Sequence, residues 1–248
     1  KVTTSKIITE TGVENEFEIT LKVTTEENLK NLTLSPDAAT VLVLDRSGSM
    51  LNEDSDNISR FKEMQDAANS FLTEYGKTET VSNSKRLISI VSFASNVKNE
   101  TYNNDDNGNN WIDVSNSSKD LIKAKDIINK IEKPIENTYD TRRGTNIEGA
   151  LIMANNIVKD GKTKGKLLGN NGKEIKNINI ILLTDGCPTF YAKNSDKDSI
   201  IAIEGIRGGG DEAYTTDWKP VGGSVEGVLA NSNNISKTIK ESSINLYT

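Results

Sequence analysis

The stretch VLVLDRSGSM, residues 41–50, decides the fold. Val41, Leu42, Val43 and Leu44 are apolar without alternation, and such a run reads as a strand covered on both faces, as in parallel sheets between helix layers. The run ends on a carboxylate, Asp45, followed by the hydroxyls Ser47 and Ser49 around Gly48. Open α/β sheets bind ligands at the carboxyl ends of their strands, so this loop is the expected site. Asp45, Ser47 and Ser49 alternate and can point toward one centre, with Gly48 permitting the tight turn. Three hard oxygen groups suit Mg²⁺, Mn²⁺ or Ca²⁺ better than zinc or copper. Taken alone, the same residues also fit a turn whose side chains satisfy local backbone groups.

Two more apolar runs share this character, LISIVSF at 87–93 and INIILL at 178–183. Helical patterns lie between and around them. One follows Asn57 with Ile58, Phe61, Ala68, Phe71, Leu72 and Tyr75 near spacings of three and four, and Gly76 as its stop. A second runs from about Ser118, with Leu121, Ile122, Ile128, Ile131 and the stem of Lys125 on one side, and ends before Pro134. A third begins at Thr145 with Ile147, Leu151, Ala154 and Val158; a fourth starts near Ser224 with Val225, Val228, Leu229, Ile235 and Ile239. Helices alternating with buried strands predict an α/β fold, a doubly wound and mostly parallel sheet flanked by helices. This body is expected over residues 38–248, with loop insertions near 99–117 and 187–223, the first Asn-rich and the second Gly-rich. The closing residues 243–248, SINLYT, read as the start of another strand, so the domain is expected to continue.

Residues 1–37 differ in kind. Phe17, Ile19, Leu21 and Val23 alternate with Glu18, Thr20 and Lys22, the mark of a half-solvated strand in an antiparallel sheet. The apolar face of that strand needs a partner.

Composition narrows the chemistry. The 248 residues hold 30 Lys and Arg against 36 Asp and Glu, a net charge of −6, so no diffuse basic field exists to hold nucleic acid. Histidine is absent altogether, which removes Ser-His-Asp and Cys-His catalysis and imidazole zinc sites together. The single cysteine, Cys187, cannot form an internal disulfide and reads as a packing residue. No run approaches the roughly 20 apolar residues of a membrane-spanning helix, so no membrane insertion is expected.

Two further motifs join the first. Gly144, Thr145 and Asn146 open the third helix, and Thr184, Asp185 and Gly186 follow the buried strand at 178–183. Thr145 has a competing role, because Thr145 with Glu148 three residues on is also a capping box; one oxygen can serve both. Asp185 before Gly186 can be a simple turn. The ordered set Asp45-x-Ser47-x-Ser49, Gly144-Thr145-Asn146 and Thr184-Asp185-Gly186 resembles the von Willebrand factor A domain with its metal-ion-dependent adhesion site. The resemblance implies that Asp45, Ser47, Ser49, Thr145 and Asp185 hold Mg²⁺, or Mn²⁺ or Ca²⁺, directly or through water. It implies further that a partner's carboxylate fills one coordination position, so that binding is metal-bridged and not catalytic. The acidic run Asn52, Glu53, Asp54 and Asp56 reads as a solvated face.

Within that family the form of residues 43–50 is similar to the tip adhesins of Gram-positive surface pili. In those proteins the A domain is inserted into a β-sandwich. The resemblance therefore casts residues 1–37 as the first part of a split host domain, with Lys6, and more distantly Lys1, as an isopeptide lysine. It implies a virulence-associated adhesin at the bacterial cell wall or pilus tip, binding a host extracellular-matrix or surface protein and joined to pilus backbone subunits. Trp111 and Trp218, in the two insertions, are expected either at the ligand-binding rim or as loop anchors. Two alternatives stand beside this one. A Mg²⁺-dependent phosphohydrolase with Asp45 as nucleophile would want a second acid where Ser47 stands, and an intracellular assembly factor would not want the β segment.

Overall fold

The computed structural model describes residues 2–10, 17–25, 37–77, 84–102, 109–115, 118–136, 143–186, 188–192, 202–203, 205–207 and 225–248. They fall into two units, Lys1–Ser35 and Pro36–Thr248. In the first, β1 (Val2–Glu10) and β2 (Phe17–Thr25) pair antiparallel along their whole length, with Lys6 opposite Leu21. The alternating stretch is thus one arm of a hairpin.

In the second unit β3 (Ala38–Asp45) runs through the middle of the sheet, parallel to β4 (Arg86–Phe93) on one side and to β7 (Asn177–Leu183) on the other. The closing strand of the sequence, β11 (Asn245–Tyr247), lies parallel to β7. Beyond β4 the sheet becomes antiparallel. There β5 (Val97–Asn99) pairs with the C-terminal half of β4, β6 (Ile112–Asp113) pairs with its N-terminal half, and β9 (Ala202–Ile203) adds to β5. A separate ribbon joins β8 (Phe190–Ala192) to β10 (Gly205–Arg207). The segments 99–117 and 187–223, expected as loops, therefore contribute strands. Their Asn and Gly content hid short strands, of which β6 takes its place from β4 and β9 from β5, while β8 and β10 pair with each other.

Helices α1 (Arg60–Tyr75) and α2 (Ser118–Asn129) cover one face, and α3 (Ile147–Thr163) and α4 (Val225–Glu241) the other. The lack of alternation in β3 has its explanation here. Val41 and Val43 enter the core under α3 while Leu42 and Leu44 enter the core under α1 and α2, and all four are at most 1% exposed. Each such side chain stabilises the fold by roughly 1.5–3 kcal/mol. In β7 only Ile178, Ile180 and Leu182 are buried; Ile181 and Leu183 are half-buried, because β7 lies near the sheet margin with only the short β11 outside it. Three residues assigned to apolar helix faces point outward instead: Ile58, before α1, Ile122 and Leu229 are all exposed. Ala124 takes the buried place on α2.

Among the described residues, no helix is long and apolar enough to cross a membrane.

Candidate metal centre

The register of the central strands assembles the centre. Leu44 pairs with Leu183, so the next residues, Asp45 and Thr184, leave the sheet side by side. The Thr184 hydroxyl donates to Asp45 Oδ2 at 2.6 Å, and the Ser47 amide donates to Asp45 Oδ1 at 2.7 Å. The second contact closes the turn that carries the chain over Gly48 into a short 3-10 helix, Gly48–Leu51. Ser47 Oγ then lies 3.1 Å from Ser49 Oγ, and Ser49 Oγ donates to Asp185 Oδ1 at 2.8 Å. Two strand ends thereby contribute a continuous row of oxygen atoms.

Thr145 stands just ahead of α3, stitched in by its backbone. Gly144 N–H donates to Ser95 Oγ at 2.8 Å and Asn146 N–H to the Ala94 carbonyl at 2.9 Å, both just past the end of β4. The Thr145 amide donates to Thr189 Oγ1, while its carbonyl accepts from the amides of Thr189 and Phe190. The helix cap belongs to Asn146, whose Oδ1 accepts from the Gly149 amide at 2.9 Å and whose Nδ2 donates to the Ser95 carbonyl at 3.0 Å. The capping-box role open to Thr145 in the sequence is therefore taken by its neighbour. A β-carbon at Gly186 would stand 3.6 Å from the Ser49 hydroxyl and 3.9 Å from the Thr145 hydroxyl. Both hydroxyls thus border the small space above Gly186.

Asp45 is fully buried. Burial pushes its carboxyl up to about 6, against the opposing pull of the hydrogen bonds from Thr184 and Ser47, and the nearby Asp185 adds slightly in the upward direction. Two cationic side chains stand close by. Arg60, at the start of α1, donates from Nη1 to Asp185 Oδ2 at 2.6 Å, and Arg143 lays its Nη2 on the Gly48 carbonyl at 3.1 Å. Arg46 turns away, with Nη1 3.3 Å from Glu132.

These residues fit a hard divalent cation. The donors are two carboxylates and three hydroxyls, all oxygen. Among the described residues no three acidic or cysteine side chains gather at one point, so a cation site here must draw on hydroxyls. Neighbouring oxygens in an octahedral shell with 2.0–2.1 Å bonds lie about 3 Å apart, the same spacing as a hydrogen bond. The row from Ser47 through Ser49 to Asp185 already has that spacing, at 3.1 and 2.8 Å, so its hydrogen bonds can be exchanged for coordination with little movement.

The sequence profile of the von Willebrand factor type A domain matches residues 40–188, more than half of the chain. The chain belongs to the von Willebrand factor type A domain family. Solved structures similar to this A domain come from pilus proteins. The PilB minor pilin from Streptococcus sanguinis aligns over 98% of this chain and 64% of its own at 14% identity, with a TM-score of 0.51, which shows the shared fold. The pilus adhesin SpaC from Lactobacillus rhamnosus GG aligns over 99% of this chain and 27% of its own (16% identity, TM-score 0.47). The type V pili tip protein Mfa5 from Porphyromonas gingivalis aligns over 79% and 29% (21% identity, TM-score 0.42). The chain spans less than two thirds of each of these structures. No curated protein matches the sequence.

Of the remaining expected site residues, Trp111 stands elsewhere. Trp111 is 7% exposed, and its Nε1 would lie 2.6 Å from a β-carbon at Gly161, near the far end of α3. At a rise of 1.5 Å per residue that is roughly 20 Å along the helix from its first residue, Ile147. Trp111 is therefore a core anchor of its loop and does not line the rim of this centre. Trp218 and Cys187 lie outside the described residues, and so does the Lys6 side chain. Sequence reasoning missed Arg60, Ser95, Thr184 as an orienting group, and Thr189. Thr184 and Ser95 had a signal, since both follow buried strands at the ligand-binding edge; Arg60 and Thr189 had none.

Proposed function

We propose that the domain is a metal-bridged adhesin module: Asp45, Ser47, Ser49, Thr145 and Asp185 hold Mg²⁺, or Mn²⁺ or Ca²⁺, and the cation accepts a carboxylate from a host extracellular-matrix or cell-surface protein. The observation that carries the reading is that the row from Ser47 through Ser49 to Asp185 lies beside the Thr184-held Asp45, with the Ser49 and Thr145 hydroxyls bordering the space above Gly186. The chain's own residues have separable tasks. Thr184 and the Ser47 amide fix the Asp45 carboxylate, the Asn146 cap holds Thr145 in place, and Gly186 keeps the space open. The cation supplies a positive centre that an anionic side chain can enter.

A binding role is favoured over hydrolysis by two features. Ser47 stands where an aspartyl phosphohydrolase would want its second acid, and Arg46 directs its guanidinium to Glu132. The pilus proteins among the structural relatives support a place at the bacterial surface or pilus tip. In that setting the β1–β2 hairpin is part of a split β-sandwich host domain, and Lys6 is its candidate isopeptide lysine. Intact-mass measurement of the full-length protein checks the last point; one ammonia is lost per bond formed, and an undiminished mass removes it. The adhesin reading itself is tested by binding of the domain to immobilised matrix proteins in Mg²⁺ and in EDTA. Chelation or Asp45→Ala is expected to abolish binding, and retention of binding under both would refute the metal bridge.

A further inference from the structure

Arg60 is out of place by ordinary helix rules. It occupies the first position of α1, where the helix dipole disfavours a cation. The chain nevertheless builds that position with care. Asn52 N–H donates to the Ser49 carbonyl, Arg60 N–H donates to the Asn52 carbonyl, and Glu53 bridges to Ser59. This folded-back loop returns the start of α1 to the serine that ends the site motif, and Nη1 reaches Asp185 Oδ2 at 2.6 Å. Asp185 is then engaged on both oxygens, by Ser49 on one side and Arg60 on the other. Its side chain is 13% exposed and that of Arg60 46%, so the pair sits at the mouth of the centre.

We infer that Arg60 is a built-in competitor of the divalent cation, holding Asp185 when no cation is present and setting the affinity with which one binds. The inference rests on the metal-centre reading above. With Arg60 in place the two carboxylates Asp45 and Asp185 present a cation with one net negative charge instead of two. A divalent ion entering the centre must either displace the guanidinium or bind beside it. At a separation of about 6 Å with water-like screening, a divalent and a monovalent cation repel enough to weaken binding about tenfold. The same positive charge favours an anionic partner once the cation is bound.

The test is titration of purified protein with Mn²⁺ alone, followed calorimetrically, for the wild type, Arg60→Gln and Arg60→Lys. Arg60→Gln is expected to bind Mn²⁺ about tenfold more tightly, with the difference shrinking at high salt, and Arg60→Lys to stay close to the wild type. A purely structural role would make both variants weaker or leave them equal to the wild type, and either result overturns the inference. So does tighter binding by both, because charge would not be the cause. The Asp45→Ala, Arg60→Gln double variant separates this failure from that of the underlying reading. If it binds as well as Arg60→Gln, the cation is not at this centre and both fall. As a second measurement, melting temperature is read in EDTA and in Mg²⁺. Arg60→Gln is expected to show a larger rise on adding Mg²⁺ than the wild type, and an equal or smaller rise counts against the inference.

Discussion

At the scale of single residues, Asp45 carries most of the tension in the centre. Its pKa is raised from 3.8 to about 6 chiefly by burial, so the folded protein holds that proton more tightly than the unfolded chain does. The sign follows directly: in EDTA this group's contribution to stability falls as pH rises from about 4 to about 6, by about 3 kcal/mol across the window. The expected outcome is that Asp45→Asn, measured in EDTA by urea unfolding, is at least as stable as the wild type at pH 7.5. At pH 4 the two should converge. A cation reverses the preference by favouring the charged form, so Mg²⁺ should bind more weakly as pH falls through about 6 and should raise the melting temperature of the wild type but not of Asp45→Asn. Asp45, Ser47 and Ser49 were legible in the sequence because their spacing follows a buried strand. Arg60 was not, because its approach to Asp185 depends on how the 52–59 loop folds back, and no local pattern encodes that.

At the scale of elements, the junction between β4 and α3 deserves the most direct probing, since it sets Thr145 in place. Asn146 both caps α3 and ties it to Ser95. Asn146→Ala should lower stability by about 1–2 kcal/mol in chemical denaturation and, on the proposed reading of Thr145 as a ligand, weaken cation binding as well. Gly144 is a second hinge of the junction: a β-carbon there would fall 1.8 Å from the ring of buried Phe190. Gly144→Ala should cost about 1–3 kcal/mol, as overpacking does, with Phe190→Leu in the same chain recovering part of it. The helices and central strands were readable because period and continuous apolarity survive in the sequence. The strands inside 99–117 and 187–223 were not, because two- and three-residue strands have no period, and their partners lie at a distance in the chain: β4 for β6, β5 for β9, and β8 for β10. The cap was misread for a related reason. Both Thr145 and Asn146 are good capping residues, and only the tie to Ser95 decides between them.

At the scale of the whole molecule, the absent histidines take on a constructive sense: the proposed centre of hydroxyls and carboxylates needs no imidazole. The A domain places that centre at the carboxyl edge of its sheet, where the ends of β3 and β7 and the start of α3 meet. The central claim is that one divalent cation binds there. The most direct measurement is anomalous diffraction from crystals of the protein grown or soaked with Mn²⁺. The account predicts a single strong Mn peak enclosed by Asp45, Ser47, Ser49, Thr145 and Asp185, lost in Asp45→Ala. A peak elsewhere, or none at this position, would contradict it.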